Sequence, residues 1–230
     1  MIWLLSLLWA WPKDQDMALF NERWHVVHID PKELDLILLG RDKKLRSVDK
    51  VWKWAKAQNR EPIFVMNAGM FHKDHTSVGL FIDNQGQWIP LNNDDGKGNF
   101  FLKPNGVFGL DQKGVPFLVD AKGELPKNVQ FATQSGPLLV KDGVIHPVFR
   151  PDSQHQKIRN GVGITRDGRI VWVISVTPVR FYDFANLFIH LECDWALYLD
   201  GTVSTFKSQK QLYGNPKAKL GPILLAISKE

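Results

Sequence analysis

The sequence predicts an α+β fold: a single domain built on a mixed, mostly antiparallel β-sheet flanked by a few helices. Between about residues 60 and 180, short apolar segments alternate with turns rich in Gly, Asn and Asp, a pattern typical of consecutive strands. Only two segments carry apolar residues at helical spacing, and they lie towards the two ends of the chain. Many strands with few helices indicate the α+β class, and 230 residues suffice to bury a sizeable core.

The N-terminal part of this domain is expected to contain a hairpin and then a helix. Pro31 separates the apolar segments 24–30 and 34–40, so these segments are predicted to pair as a hairpin. Apolar residues in 48–58 recur at helical spacing, which predicts an amphipathic helix. Ser47 stands directly before it and is suited to be its N-cap.

A second helix is predicted over residues 183–192, where Phe184, Leu187 and Phe188 fall on one face and Asp183 stands at the N-cap position. The remaining apolar segments are predicted strands, and the turn at 166–168 has strands directly on both sides, as in a tight hairpin. The predicted strands are 63–66, 78–83, 99–103, 107–110, 116–119, 129–133, 138–140, 161–165, 170–176, 195–199 and 222–227.

Residues 1–20 are predicted to be an apolar leader that precedes a domain spanning residues 21–230. The first part of this segment, residues 1–11, is an apolar run, and no charged residue occurs before Lys13. This pattern is typical of an export signal, although the positively charged first region and the cleavage site of such a signal are missing. The run is too short to span a bilayer as a helix. Periplasmic or secreted localisation is the favoured interpretation, with membrane association only through this segment if it is retained. The alternatives are a start site assigned too far downstream and an N-terminal strand that packs on the fold.

Composition excludes several classes of protein. The 29 basic residues outnumber the 24 acidic ones only slightly and are scattered, and no nucleic-acid motif is present, so no nucleic-acid partner is expected. The single cysteine, Cys193, excludes an intramolecular disulfide framework and a cysteine-based zinc site. Phe and Trp are abundant, with 14 and 9 residues, and such rings build either a core or a platform for sugars.

Two turn segments contain candidate site residues. Asn67 and Gly69 directly follow the strand predicted at 63–66, where a tight turn would present polar groups at the strand end. Ser135 and Gly136 occur in a Gln-Ser-Gly-Pro segment, which lacks the glycine two residues before the serine that a nucleophile elbow requires. Plain turns explain both segments without any function.

A basic residue and an acidic segment are further candidates. Arg159 precedes a glycine-containing strand and could hold a phosphate through its fork of donors, or form a surface ion pair. Asp200 ends a buried strand, and Gly201 and Ser204 follow it, which is a frequent position for functional groups. The alternative is an aspartate that caps its own turn.

Other reactive residues give weaker indications. His72, Asp74 and His75 are spaced as metal ligands can be, but the sequence indicates no further ligand, and solvated loop histidines are the simpler interpretation. Cys193 has no activating base nearby in sequence and is interpreted as structural.

Taken together in chain order, these segments resemble the phosphodiester glycosidase family over about residues 60–228. The segments are NAGMF at 67–71, FGL at 108–110, QSGPLLVKDG at 134–143, RNGVGITRDG at 159–168, FYDFANLF at 181–188 and YLDGTVS at 198–204. The departures are Ala68, Thr202 and Val203, each of which replaces a glycine of the family pattern. They are interpreted as marks of a bacterial subfamily.

The resemblance implies roles for individual residues. Asp200 and Asp183 are the implied catalytic carboxyl pair, since glycosidic hydrolysis usually uses two. The implied substrate-binding residues are Asn67, Gly69, Ser135, Gly136, Arg159, Gly201 and Ser204. Arg159 would bind the phosphodiester and Asn67 the sugar hydroxyls.

The function implied by the resemblance is hydrolysis of a sugar 1-phosphodiester in envelope or exopolysaccharide material. The substrate partner is then a small or polymeric glycosyl phosphodiester, and neither a cofactor nor a metal is expected. Two alternatives stay open: a non-catalytic glycan-binding envelope protein, which the many Trp residues would suit, and a metal-dependent hydrolase centred on His72, Asp74 and His75.

Overall fold

In a computed structural model, which describes residues 13–229, the chain forms three antiparallel β-sheets and two α-helices, so β-structure dominates a mixed fold. The helices are α1 (Val48–Ala57) and α2 (Phe181–His190), and short 3-10 turns occupy Lys43–Leu45 and Asn99–Phe101. The strands are β1 (Lys13–Leu19), β2 (Glu22–Ile29), β3 (Leu34–Leu39), β4 (Pro62–Asn67), β5 (Phe81–Asp83), β6 (Gly86–Ile89), β7 (Gly106–Asp111), β8 (Pro116–Asp120), β9 (Val129–Ser135), β10 (Leu138–Lys141), β11 (Val144–Ile145), β12 (Asn160–Thr165), β13 (Ile170–Ser175), β14 (Cys193–Asp200), β15 (Phe206–Ser208), β16 (Leu212–Tyr213) and β17 (Ile223–Ser228).

The strand order of each sheet departs from chain order. The first sheet is β1-β2-β13-β12-β14-β10-β11, the second is β16-β15-β4-β17-β3, and the third is β6-β5-β9-β7-β8. All of these pairings are antiparallel. The sequence prediction of a mostly antiparallel α+β architecture is confirmed at this level.

The main core lies where the three sheets meet. Phe64 of the second sheet and Phe108 of the third both pack against Trp172 of the first, with ring centroids 6.2 and 5.1 Å apart, respectively. All three side chains are almost completely buried. Burial of such a ring contributes roughly 1.5–3 kcal/mol, so this contact is a main tie between the sheets.

Each helix covers the outer face of one sheet. On α2, Phe184 stacks parallel to Trp24 of the first sheet at 5.7 Å between centroids, and Phe188 is buried beside it. On α1, Val48, Val51 and Ala55 pack against the second sheet. These are the apolar faces that the helical spacing in the sequence predicts.

Two local predictions are confirmed at the level of individual hydrogen bonds. Helix α1 begins after Ser47, whose hydroxyl accepts a hydrogen bond from the Lys50 amide at 3.3 Å. Strands β12 and β13 form the predicted hairpin, and Gly168 in its turn has a φ of +83°, a conformation that favours glycine.

The hairpin predicted from segments 24–30 and 34–40 is wrong. Strand β2 pairs with β1 and β13 in the first sheet, whereas β3 pairs with β17 at an edge of the second. The turn at Asp30–Glu33 therefore carries the chain from one sheet to another. Both strands are apolar enough to form, but β2 also pairs with β13 and β3 pairs with β17, and both of these partners are distant in sequence, which local alternation does not encode.

The strand predicted at 99–103 is also wrong. The Phe101 and Leu102 amides donate to the Gly98 and Asn99 carbonyls, at 3.1 Å in both cases, which closes a 3-10 turn. This turn buries Phe100 in the interior. A single 3-10 turn thus buries the centre of this apolar segment without pairing it to a neighbouring strand.

The described residues begin inside the segment predicted to be a leader. Lys13–Leu19 forms β1, which pairs along its length with β2. The fold therefore includes residues 13–19 of the segment that the sequence assigned to 1–20. The apolar run before Lys13 lies outside the described residues. Among residues 13–229, neither helix has the length and apolar character needed to cross a bilayer.

Candidate active site

The ends of three strands converge to build the candidate site. Strand β14 ends at Asp200, directly opposite Asn160 at the start of β12. The Asn160 side-chain amide donates to both the backbone and side-chain oxygens of Asn67, at 2.8 and 3.0 Å, at the end of β4. The fold thus brings Asn67 and Asp200, which are far apart in sequence, to one place.

Hydrogen bonds to its oxygen fix the Asn67 side chain in place. Its oxygen accepts from the Thr205 amide at 2.9 Å as well as from Asn160. Its nitrogen is buried, and no well-formed hydrogen bond to it exists among the described residues. This nitrogen faces Asp200 closely enough to lower the pKa of that carboxyl. Asn67 is therefore a fixed, buried donor beside Asp200.

Asp200 has the most unusual carboxyl of the site. Burial raises its pKa from 3.8 to about 6, and a hydrogen bond from the Gly201 amide, at 2.6 Å, and the Asn67 side chain oppose that rise. A carboxyl with a pKa near neutrality can exchange between its charged and neutral forms under physiological conditions. Perturbation by desolvation at a strand end is typical of functional carboxyls.

The turn after Asp200 fixes its direction. The Ser204 amide donates to the Gly201 carbonyl at 3.1 Å, and the Ser204 hydroxyl donates to the Asp200 carbonyl at 3.1 Å. Gly201 lies against the hydroxyl of Tyr198, so that a β-carbon at position 201 would come within 2.3 Å of that oxygen. The glycine is needed here for close approach, which explains why Asp200-Gly201 occur together.

Arg159 is a buried cation without an anionic partner. Its side chain is 2% exposed, and no carboxylate among residues 13–229 lies within ion-pair distance of it. Nε donates to the Val179 carbonyl at 2.9 Å and Nη2 to the His155 carbonyl at 3.2 Å, while Nη1 has no partner among these residues. Burial lowers the pKa of Arg159, yet a guanidinium stays charged. Such a charge favours a nearby anion.

Two aromatic rings hold this guanidinium in place. Its carbon lies 3.7 Å from the centroid of Phe181, the first residue of α2, and 5.4 Å from that of Tyr198. Burial raises the pKa of Tyr198 to about 12, although the Arg159 charge lowers it, so the phenol is neutral at pH 7. Tyr198 therefore connects Arg159 to Gly201 and Asp200.

Three other predicted binding residues, Ser135, Gly136 and Gly69, contribute packing and a hydrogen bond around the strand ends. Ser135, fully buried, donates through its hydroxyl to the Leu199 carbonyl at 2.9 Å and so ties the third sheet to β14. A β-carbon on Gly136 would approach Asn105 to 2.9 Å, and one on Gly69 would approach the Thr133 hydroxyl to 2.9 Å. These three residues position the strand ends through close packing.

Asp183 has a different environment from Asp200. It is the third residue of α2, and its carboxyl accepts from Arg180 at 2.5 and 3.2 Å. The N-cap role predicted for it is wrong, because α2 begins at Phe181 with Arg180 at the cap. No hydrogen bond or ion pair within residues 13–229 joins Asp183 to Asp200 or Arg159.

A cleft of about 350 Å³ opens beside this constellation. Gly201 and Ser204 form part of its wall, and Ser175, whose hydroxyl accepts a hydrogen bond from the Arg159 amide at 2.9 Å, forms another part. Across the cleft lie Tyr213 and Asn215. Hydroxyl and amide groups thus dominate its polar lining, as suits a ligand rich in hydroxyls.

Sequence reasoning missed Asn160 and Tyr198. Both stand in segments that carry the family resemblance, and both precede or follow a selected residue closely: Asn160 comes directly after Arg159, and Tyr198 two before Asp200. Alternation along β14 would have placed Tyr198 and Asp200 on the same face, which is the signal that could have found it.

The metal-dependent alternative requires a cluster of ligand side chains around His72, Asp74 and His75. Within the described part of the chain, no three His, Cys, Asp or Glu side chains lie close enough together to hold a metal ion. Burial lowers the pKa of His75, and the neighbouring Arg46 and Lys219 charges lower it further. Burial raises the pKa of the Cys193 thiol well above its ordinary value, in keeping with a structural role.

Known proteins provide an independent comparison. Among solved structures, the fold is similar to the catalytic domain of zebrafish N-acetylglucosamine-1-phosphodiester alpha-N-acetylglucosaminidase, auto-inhibited by its pro-peptide, with a TM-score of 0.64 and 14% identity over 95% of this chain and 82% of that one. It is also similar to a hypothetical protein from Synechocystis, with a TM-score of 0.58 and 13% identity over 94% of this chain and 61% of that one. A putative exported protein from Burkholderia pseudomallei K96243 has a TM-score of 0.54 and 12% identity over 89% of this chain and 74% of that one. At these identities the likeness concerns the fold.

Sequence comparison gives a more specific result. The uncharacterized protein YigE of Escherichia coli (strain K12) is 43% identical over 142 residues, which cover 60% of this chain and 55% of that protein. The match therefore spans about half the length of this curated relative. The family model for phosphodiester glycosidase matches residues 60–217, which include every candidate residue described above. The chain belongs to the phosphodiester glycosidase family.

Proposed function

We propose that this protein hydrolyses the glycosidic bond of a sugar 1-phosphodiester, with Asp200 as the essential carboxyl. The observation that carries the proposal is the pairing of two groups at one set of strand ends: a carboxyl with a pKa of about 6 and a buried, uncompensated Arg159. A substrate with a sugar on one side and a phosphate on the other has chemistry that matches both.

Arg159 is proposed to interact with the phosphodiester. Its charge has no carboxylate partner among the described residues, so the anionic phosphodiester would supply the missing counter-charge. The free Nη1 is the donor that remains for it. The sugar is proposed to lie in the cleft beside Gly201 and Ser204.

The proposed reaction breaks the bond between the anomeric carbon and the phosphate oxygen. Both electrons of that bond leave with the phosphate, which departs as a phosphate monoester. A water molecule supplies the new hydroxyl of the sugar, and its second proton passes to the monoester or to the solvent. Positive charge develops at the anomeric carbon in the transition state, and the Asp200 carboxylate stabilises it. Because phosphate departs as a stable anion, it does not need a strong general acid, and one essential carboxyl suffices.

Asp183 is proposed to act through α2 rather than on the sugar. Its ion pair with Arg180 holds the first turn of the helix, where Phe181 contacts the Arg159 guanidinium. The second carboxyl that the family resemblance implies would thus serve to position the phosphate-binding side.

The biological setting is also a proposal. The family resemblance implies a substrate in envelope or exopolysaccharide material, and we propose a periplasmic or secreted location on that ground. A glycan-binding protein without turnover is the alternative.

The experiment is a hydrolysis screen with the purified chain. We expect release of free sugar from at least one sugar 1-phosphodiester and little release from aryl glycosides, which lack the phosphate that Arg159 would bind. Wild type is assayed beside Arg159→Met, which keeps much of the side-chain bulk and removes the charge. Equal turnover of both substrate types, or an undiminished rate in Arg159→Met, would contradict the proposal.

The pH dependence of turnover is a second test. If Asp200 acts as a carboxylate, kcat/KM rises with pH through a midpoint near 6 and then levels off, since the pKa of this group in the free enzyme is about 6. A rate that instead declines above pH 6 would show that the protonated form is required, and Asp200 would be a general acid.

A further inference from the structure

A further cleft lies at the opposite end of the first sheet from Asp200. It has a volume of about 860 Å³ and opens between β8, the end of β12 and the start of β14. Along β14, Trp195 lines this cleft and Asp200 stands five residues further on, which corresponds to roughly 17 Å. It is therefore separate from the candidate active site, and none of the proposed catalytic steps uses it.

Two partly exposed aromatic side chains form the apolar walls. Trp195 packs partly against the main core, and the rest of its side chain faces the cleft. Phe117 on β8 faces it from the third sheet. Gly109 lies beneath the Phe117 ring, where a β-carbon would come within 2.7 Å, so this ring has a fixed seat. Rigid, partly exposed rings lose little entropy when a ligand packs on them.

Polar and charged side chains line the cleft beside these rings. Arg166 donates through Nε to both oxygens of Asp194, at 3.0 and 3.1 Å, and both side chains are well exposed. Asp142 stands across from them in a turn, with Thr165 also in the lining. These groups offer both donors and acceptors at the rim.

The charge balance of the lining limits the ligand. Arg166 is the single cation among the described lining residues, and Asp194 already neutralises it. Lys141, next to Trp195, is likewise paired with Asp120 at 2.8 Å. An anionic ligand such as a phosphate or nucleotide would find no uncompensated cation here, unlike at Arg159.

We propose that this cleft is a second, non-catalytic binding site for a neutral oligosaccharide. Sugar rings present apolar C–H faces that pack on aromatic side chains, and hydroxyls that pair with carboxylate and guanidinium groups. The cleft offers both kinds of surface and no net attraction for anions. Its place at the far end of the sheet lets a glycan bind there while the active site is free.

The test is calorimetric titration with three neutral probes: chitopentaose, maltopentaose and cellopentaose. The protein carries Asp200→Asn, so that no probe is hydrolysed. We expect saturable binding of at least one probe, with a change in Trp fluorescence. Trp195→Ala should weaken that binding by at least about tenfold, since truncating a central aromatic anchor has effects of this size. Arg166→Ala, on an exposed side chain whose loss leaves the core intact, should weaken it several-fold.

The matched control is Trp88→Ala, which removes another partly buried Trp at the edge of the third sheet, outside both clefts. Undiminished affinity in Trp195→Ala and Arg166→Ala, or an equal loss in Trp88→Ala, would overturn the proposal. So would the absence of binding to all three probes. These outcomes are independent of turnover, so they leave the proposed hydrolase activity to be judged by its own assay.

Discussion

Replacing Asp200 with Asn is expected to lower kcat by roughly 10³-fold or more and, at the same time, to stabilise the protein at neutral pH. The rate falls because the amide carries no charge to stabilise the anomeric carbon. Stability rises because burial of the carboxylate opposes folding, as its pKa of about 6 shows. The amide keeps an oxygen that can accept the 2.6 Å hydrogen bond from the Gly201 amide. Gain of stability with loss of activity is typical of a strained functional group.

The gain in stability depends on pH in a defined direction. Below about pH 3 the carboxyl is protonated in both the folded and the unfolded state, so Asp200→Asn has little effect there. Between pH 4 and 6 the unfolded chain loses this proton while the folded protein keeps it, so wild type becomes less stable as pH rises. A rise of this pKa from 3.8 to about 6 corresponds to roughly 3 kcal/mol above pH 6, or a Tm higher by up to about 8 °C in the variant.

Two matched substitutions make the result specific. Asp35→Asn changes an exposed carboxyl on β3 and should alter neither turnover nor Tm measurably. Asp183→Asn should lower Tm through loss of the Arg180 pair, while kcat falls by no more than about tenfold. Turnover in Asp200→Asn near the wild-type rate would contradict the role of Asp200. A loss in Asp183→Asn as deep as that in Asp200→Asn would instead establish a carboxyl pair.

Replacing Gly201 with Ala is expected to damage both stability and turnover. The new methyl group would come within 2.3 Å of the Tyr198 hydroxyl, inside a buried contact, so the chain around Asp200 has to shift. Overpacking of this kind costs about 1–3 kcal/mol of unfolding free energy. A displacement of the adjacent carboxyl by an ångström lowers the rate by about 10²-fold.

The clash can be tested by removing its other partner. In a Tyr198→Phe background the same methyl group would meet the ring carbon at 3.6 Å, an ordinary contact. Denaturation of the wild type, both single variants and the double variant then measures the coupling. We expect most of the stability cost of Gly201→Ala to vanish in the Tyr198→Phe background. An equal cost in both backgrounds would mean that Gly201 is required for another reason.

Local signals in the sequence predicted the elements better than their partners. Apolar spacing and the Ser47 cap predict α1 within one residue, and the turn at 166–168 predicts the β12–β13 hairpin, because both depend on residues close in sequence. Strands β2 and β3 are equally visible, but they do not pair with each other: β2 lies between β1 and the distant β13, and β3 pairs with the distant β17. Register between distant strands depends on the whole core, which a local pattern does not contain.

For the candidate site, the sequence predicted the residues better than their environments. The ordered motifs led to Asn67, Arg159 and Asp200, which the fold does bring to one set of strand ends. Their environments could not be predicted: burial of Asp200, the missing partner of Arg159 and the ion pair of Asp183 all depend on tertiary packing. The hydroxyl of Tyr198 lies against Gly201, but in the sequence nothing distinguishes Tyr198 from the apolar residues of its strand.

Which bond the protein cleaves is measured by hydrolysing a sugar 1-phosphodiester in water enriched in oxygen-18. The proposed attack at the anomeric carbon places the label in the released sugar, so the phosphate monoester should carry none. Phosphorus NMR or mass spectrometry of that product reads the outcome without interference from exchange at the anomeric hydroxyl. Label in the phosphate would mean that the bond between phosphorus and oxygen is cleaved, which would make the protein a phosphodiesterase and contradict the account of Asp200.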